Sequence, residues 1–279
     1  MRSIPPPLFS TQEVLTACLS SVRDGEYKDR LTNAAAAIVG AEPLYLQSGA
    51  QQTLHSIPGT QQVGTATSQD MEKVYKDTFV KSRKTRHFYD AIKKIPENDI
   101  CPLCNQRTVF TLDHYLPQSG HPTYTVTPAN LVPACAECNF VKRSLVAAQQ
   151  NQQTLHPYFD NCDDAPWLKA VVYNSSPASV GFSVQAPPQW TQLKADRVRE
   201  HFRVFALADL YASHSGVELA NIRHLLVGLA NSGQPPQSIS SYLLDRAASY
   251  RAAQPNSWQT ACYTALGTTP WYYSGGFAA

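Results

Sequence analysis

The sequence predicts an α+β protein: a cysteine-stapled strand, loop, strand, helix module held between regions that are mainly helical. Three observations carry this. Two Cys-x-x-Cys pairs, Cys101/Cys104 and Cys135/Cys138, bracket 30 residues in the middle of the chain. Inside the bracket, Val109, Phe110, Thr111 and Leu112 form a β-branched and aromatic run, the composition of a short strand. On either side, apolar residues recur three or four apart, the spacing of helices with one buried face.

Taken in order, residues 9–48 have helical character, with Val14, Leu15, Cys18 and Leu19 followed by Leu31, Ala34, Ala35 and Ile38. The polar Gly/Ser/Thr/Gln-rich stretch 47–69 reads as a loop or linker, and residues 1–70 as a helical, accessory region. Thr67 or Ser68, followed by Glu72, is expected to cap the next helix. Over 71–98 the residues Met71, Val74, Tyr75, Phe79, Phe88, Ile92 and Ile95 predict one or two helices. From Glu72 to Lys94 that segment carries eight basic residues against three acidic ones, a local +5 that exceeds the +2 of the whole 279-residue chain. The stapled module occupies 99–148. Beyond it, in 149–279, a polar tract leads to a hairpin from 170–173 and 180–184, and then to helices. One helical stripe runs Leu193, Val198, Phe202, Phe205, Leu210, Tyr211, another Leu219, Ile222, Leu225, Leu226, Leu229, and a third helix covers 238–253. These stripes read as core. The aromatic tail either packs or docks a partner.

Four thiolates in two knuckles close a tetrahedral zinc site with no open position, the arrangement of a structural metal. The chain opens MRSIPPPLFS, without an apolar signal core, and its early apolar run is too short to span a bilayer. A cytoplasmic, non-membrane protein is therefore expected, with reduced thiols available to zinc rather than a disulfide framework. Cys18, Cys162 and Cys262 lack spaced partners and read as buried thiols, and His156, His201 and His224 as structural.

The 30 residues between the knuckles are more than a simple zinc ribbon needs. Asp113-His114 falls at the end of the predicted strand, and Pro117, Ser119, Gly120 and Pro122 then force a loop. The chain is expected to return through a strand at Tyr124, Thr125 and Val126, pass Asn130, and enter a helix from about Glu137 through Lys142.

Asp113-His114, Asn130 in ANLVPAC and Asn139 in CAECNFVK resemble the three motif positions of the HNH endonucleases, a branch of the ββα-metal or His-Me finger nucleases, in the subgroup with a four-cysteine zinc. The third position, His or Asn in that family, is Asn here, and the resemblance covers about 45 residues. It implies a zinc-stapled ββα-metal module and metal-dependent hydrolysis of DNA, expected to be double-stranded. LDHYLPQS, HPYFD and HFRVFAL further resemble HNH proteins of bacterial anti-phage defence, such as those working beside an ATPase in Septu-type systems, which implies an ATPase partner subunit.

The chemistry fits. Phosphodiester hydrolysis needs an activated water, a counter-charge for the phosphorane oxygens and help for the departing oxygen. His114, as a neutral imidazole, is the candidate general base. Asp113, on the opposite strand face, and Asn139, on the first helical turn, offer oxygens to one magnesium or manganese ion. Asn130 is placed to orient His114 or hold the loop. Lys142 and Arg143 could hold a phosphate, and Lys81, Arg83, Lys84 and Arg86 could attract the DNA backbone; a solvated charged face is the alternative for both sets. No phosphate-binding Gly-Lys-Ser/Thr loop, Gly-x-Ser-x-Gly elbow or dinucleotide fingerprint is present. A zinc-containing nucleic-acid-binding module without catalysis and a partner-docking subunit remain as other readings.

Overall fold

The computed structural model describes Met1–Ala279 and divides the chain into two compact units, Met1–Asn161 and Cys162–Ala279. The architecture is α+β, with three separate two-stranded antiparallel sheets among helices.

The first unit begins with α1 (Thr11–Leu19), α2 (Glu26–Gly40) and α3 (Glu42–Ala50). Ser10 caps α1 in a reciprocal box with Glu13, satisfying two backbone donors that the first turn leaves free. The segment expected to be a loop or linker, 47–69, is largely loop but packs into this unit's core. It holds a small hairpin, β1 (Gln62–Val63) and β2 (Ala66–Thr67), whose Val63 and Ala66 are buried in the core. Next comes α4 (Ser68–Lys73), which continues as a wider π-type turn over Val74–Phe79. Its cap is Thr67, but the reciprocal partner is Asp70 rather than Glu72. Asp70 also receives both Arg30 Nε (3.0 Å) and Nη2 (2.7 Å), so one carboxylate pins the start of α4 onto α2. The basic segment is thus two elements, the second being α5 (Arg86–Lys93).

In the stapled module β3 (Thr111–His114) pairs with β4 (Leu131–Ala134), placing Asp113 opposite Val132 and His114 opposite Leu131. The returning strand is therefore not at 124–126. Pro122 and Pro128 each open a 3-10 turn there, because proline supplies a preset φ and no donor for a ladder. After β4, α6 (Ala136–Lys142) starts on Cys135, whose sulfur accepts the Cys138 N–H at 3.3 Å. It ends at Arg143, where φ is +45°, a backbone region that side-chain-bearing residues rarely adopt.

One apolar core runs through this unit. Leu15, Leu31, Ile38, Met71, Phe79 and Ile92 pack with Leu112 of β3 and Leu131 of β4. Each fully buried side chain of this size contributes roughly 1.5–3 kcal/mol. The N-terminal helices are therefore structural partners of the cysteine module, not an accessory region.

In the second unit β5 (Leu168–Tyr173) and β6 (Ser179–Val184) form the expected hairpin. Helices α7 (Gln192–Val204), α8 (Leu207–Asn231), α9 (Pro236–Ala253), α10 (Trp258–Thr268) and α11 (Pro270–Tyr273) follow. The first predicted stripe is split: Ala206 adopts a left-handed conformation, so Leu210 and Tyr211 belong to α8. Leu226, Leu243, Cys262, Tyr263 and Leu266 are fully buried, as is Tyr272, so the aromatic tail is part of this unit's core. No helix is long and apolar enough to cross a membrane.

Candidate functional site

Cys101, Cys104, Cys135 and Cys138 are all buried, with their sulfurs within 4.8 Å of one another. Cys104 Sγ and Cys135 Sγ lie 4.0 Å apart. Zn–S bonds of about 2.3 Å in a tetrahedron put sulfurs about 3.8 Å apart, so the cluster has the size a zinc ion requires. Two sulfurs already accept backbone N–H groups, Cys104 from Arg107 (3.4 Å) and Cys135 from Cys138 (3.3 Å), which favours thiolates. Their mutual contacts push the thiols apart. Hydrogen bonds with Cys101, then Cys135 and Cys138, hold Cys104 low, while those with Cys101, Cys104 and Cys135 push Cys138 up. Four cysteine sulfurs this close could hold one zinc ion, which would draw all of them into the thiolate form. Cys18, Cys162 and Cys262 are lone buried thiols, each pushed up to about 11 or 12 by burial.

Beside the cysteine cluster, β3, the following loop, α4 and α6 enclose a cleft of about 520 Å³. Asp113 and His114 border it from β3, Asn139 and Arg143 from α6 and its end, Gln118 and Ser119 from the loop, and Gln61, Gln69, Glu72 and Tyr75 from the N-terminal side. Three of the four predicted catalytic residues therefore meet in one cavity.

His114 is held on every side. Its Nε2 lies 2.8 Å from the Thr125 carbonyl and its Nδ1 3.0 Å from the Gln118 side-chain amide nitrogen. A carbonyl can only accept, so Nε2 carries the proton and Nδ1 is the basic nitrogen. The ring meets Tyr75 edge-on, with centroids 4.5 Å apart. Burial lowers the imidazole to about 4, against the opposing pull of the Thr125 carbonyl, so it is neutral at physiological pH.

Asp113 is also buried, which raises its carboxyl above the usual range, with the charge of Lys142 pulling the other way. Lys142 corrects the sequence expectation. It is only 3% exposed, with Nζ 2.6 Å from the His114 carbonyl and 3.1 Å from Asp113 Oδ2. The helix explains this: Asn139 and Lys142, three residues apart, share the face turned toward β3. A cation committed to an internal carboxylate is not a surface phosphate contact. Arg143 is exposed at the cleft edge, its guanidinium 4.2 Å over the Phe140 ring.

Asn130 does not border the cleft. Fully buried, it accepts from Leu116 N (2.7 Å) and Tyr45 OH (2.9 Å) and donates to the Leu116 and Tyr124 carbonyls, both at 3.0 Å. It closes the loop that carries both contacts to His114, leaving no side-chain group unsatisfied. Tyr45 in turn lies 3.3 Å from His156 Nε2, giving that buried histidine a structural place behind the loop.

The chain resembles a phage protein. It is 27% identical over 234 residues to protein ea31 of Escherichia phage lambda, covering 80% of this chain and 79% of that protein. A match of that length exceeds the 161 residues of the first unit, so it extends into the second. No protein-family model matches the chain, and no solved structure matches it.

The basic residues of the 71–98 segment are not brought to the cleft. Lys81 pairs with Asp77 (2.9 Å), Lys84 donates to the Ser20 carbonyl (2.8 Å), and Arg86 binds Asp90 (2.9 Å) and the Val80 carbonyl (3.1 Å). Arg83, like these three, is exposed and borders no part of the cavity. Gln118, Thr125 and the N-terminal wall were not visible as site residues in the sequence. The one signal available was the four-residue spacing of Gln118 from His114.

Proposed function

We propose that this protein is a metal-dependent endonuclease of the HNH type that hydrolyses phosphodiester bonds of double-stranded DNA. The observation that carries the reading is the convergence of His114, Asp113 and Asn139 on one cleft beside the four-cysteine cluster. A neutral imidazole with its lone pair on Nδ1 suits proton abstraction from water. The Thr125 carbonyl keeps the Nε2 proton in place and favours the imidazolium that forms. The Asp113 carboxylate and the Asn139 amide offer hard oxygens, a donor set that fits a magnesium or manganese ion keeping most of its water. Such an ion, when bound, supplies counter-charge to the phosphate oxygens and to the departing 3′ oxygen. Lys142 keeps Asp113 compensated and fixed to the end of β3. Arg143 is the candidate phosphate contact at the cleft edge, while Lys81, Arg83, Lys84 and Arg86 are left as candidate contacts to flanking backbone.

Incubation of the zinc-loaded protein with supercoiled plasmid and magnesium or manganese tests this reading. Nicking or linearisation is expected, reduced about 10²- to 10⁴-fold in His114→Ala, the usual contribution of a general base. Equal activity in wild type and His114→Ala, or none in either with both metals, would overturn it.

A further inference from the structure

Resting on the nuclease reading, we infer that Gln118 is a positioning residue of the general base: in the substrate-free protein its side-chain amide occupies the nitrogen of His114 that must receive the proton, and the attacking water has to replace it. The argument starts from the tautomer. Because the Thr125 carbonyl fixes the proton on Nε2 (2.8 Å), the only lone pair the ring can offer is on Nδ1, and Gln118 Nε2 sits on it at 3.0 Å. One lone pair accepts one proton. Water cannot be activated there while the amide remains.

The surrounding contacts indicate how the amide leaves. The loop backbone is fastened on both sides of Gln118. Asn130 clamps Leu116 through two hydrogen bonds, and on the other side Thr60 N donates to the Gly120 carbonyl at 2.7 Å and His121 N to the Pro117 carbonyl at 2.9 Å. The backbone stays, so the release is a side-chain rotation into the cleft that Gln118 itself borders. The rotation is cheap, because in the capping position Gln118 Oε1 is buried without a hydrogen-bond partner. The cap satisfies one polar atom of the amide and orphans the other, so the contact is weakly held. Rotamer changes of this kind are fast compared with turnover, so the cap sets an equilibrium between masked and open base rather than a slow step.

Gln118→Leu keeps the bulk and removes the donor, and Gln118→Ala removes both. In zinc-loaded full-length protein at saturating DNA and manganese, each is expected to raise the single-turnover rate constant roughly two- to ten-fold, the worth of one neutral hydrogen bond, with KM unchanged. An unchanged or lower rate constant in both variants, with thermal melting equal to wild type, would overturn the inference. Nitrogen-15 NMR of the His114 ring, without DNA or metal, reads the cap independently of cleavage. Wild type is expected to show the Nε2–H tautomer with a hydrogen-bonded Nδ1, and Gln118→Leu a downfield move of Nδ1 alone. An Nδ1 resonance indifferent to the substitution sinks the cap even if DNA is cut. The expected resonances in a chain that cuts nothing would instead sink the nuclease reading and leave the cap standing as a structural contact.

Discussion

Taking away the Lys142 ammonium would leave Asp113 a buried carboxylate with no cation against it. Removing one partner of a buried ion pair costs about 3–5 kcal/mol. Lys142→Met is therefore predicted to destabilise the first unit by about that amount, and Asp113→Asn in the same chain to recover part of the loss, since an amide has no charge to neutralise. Denaturation of the two single variants and the double variant checks this; additive losses would contradict the coupling. The sequence could not reveal the pair. Lys142 and Arg143 are adjacent cations in the text, and only the end of α6 and the positive φ at Arg143 send one inward to β3 and leave the other at the cleft edge. His114 and Asp113 were legible because a β-branched run ended on them. Their partners Gln118 and Thr125 were not, because the loop that carries them is closed by Asn130 through contacts whose geometry has no linear pattern.

The β3–β4 hairpin and α6 hold the site residues, and the cysteine cluster joins the start of α6 to the turn before β3. Structural zinc contributes roughly 10–16 kcal/mol of apparent binding free energy in small zinc peptides. Cys104→Ser is thus predicted to lose bound zinc and to lower the melting temperature of the first unit. Metal analysis with thermal unfolding checks it, and a zinc-free variant as stable as wild type would contradict the staple. The start of α4 depends on a different charge. Arg30, ahead of the Thr67 cap, holds the Asp70 carboxyl down to about 2 from an ordinary 3.8. A carboxyl depressed on folding stabilises fully above its unfolded value and loses that contribution as pH falls toward the folded one. Stability supplied by Asp70 is accordingly lost between about 3.8 and about 2, and Asp70→Asn is predicted to flatten the pH dependence of unfolding across that window. The cap is legible as Thr67 or Ser68, and its true partner Asp70 stands three residues after Thr67, the local capping-box spacing that Glu72 does not have; what nothing local announces is Arg30, 40 residues from Asp70. Residues 124–126 misled in another way: β-branched residues suggested a strand where two flanking prolines impose turns.

The molecule as a whole is two units, and the cleft belongs to the first. Calorimetry is predicted to resolve two transitions, with a strong zinc chelator lowering that of residues 1–161 and leaving that of residues 162–279 in place; a chelator that shifts both equally would contradict the division. The α+β class and the mainly helical flanks could be read from periodicity. What periodicity hid was the role of the N-terminal helices, since Leu31, Met71 and Phe79 share a core with Leu112 and Leu131 only through pairings far apart in sequence. That shared core places Gln69, Glu72 and Tyr75 as a wall of the cleft. The most direct test of the account is anomalous diffraction at the manganese edge from crystals of His114→Ala bound to duplex DNA. The account predicts a manganese ion held by Asp113 and Asn139 and carrying a backbone phosphate, together with zinc at the four cysteines. Manganese bound elsewhere, or DNA lying away from this cleft, would contradict it.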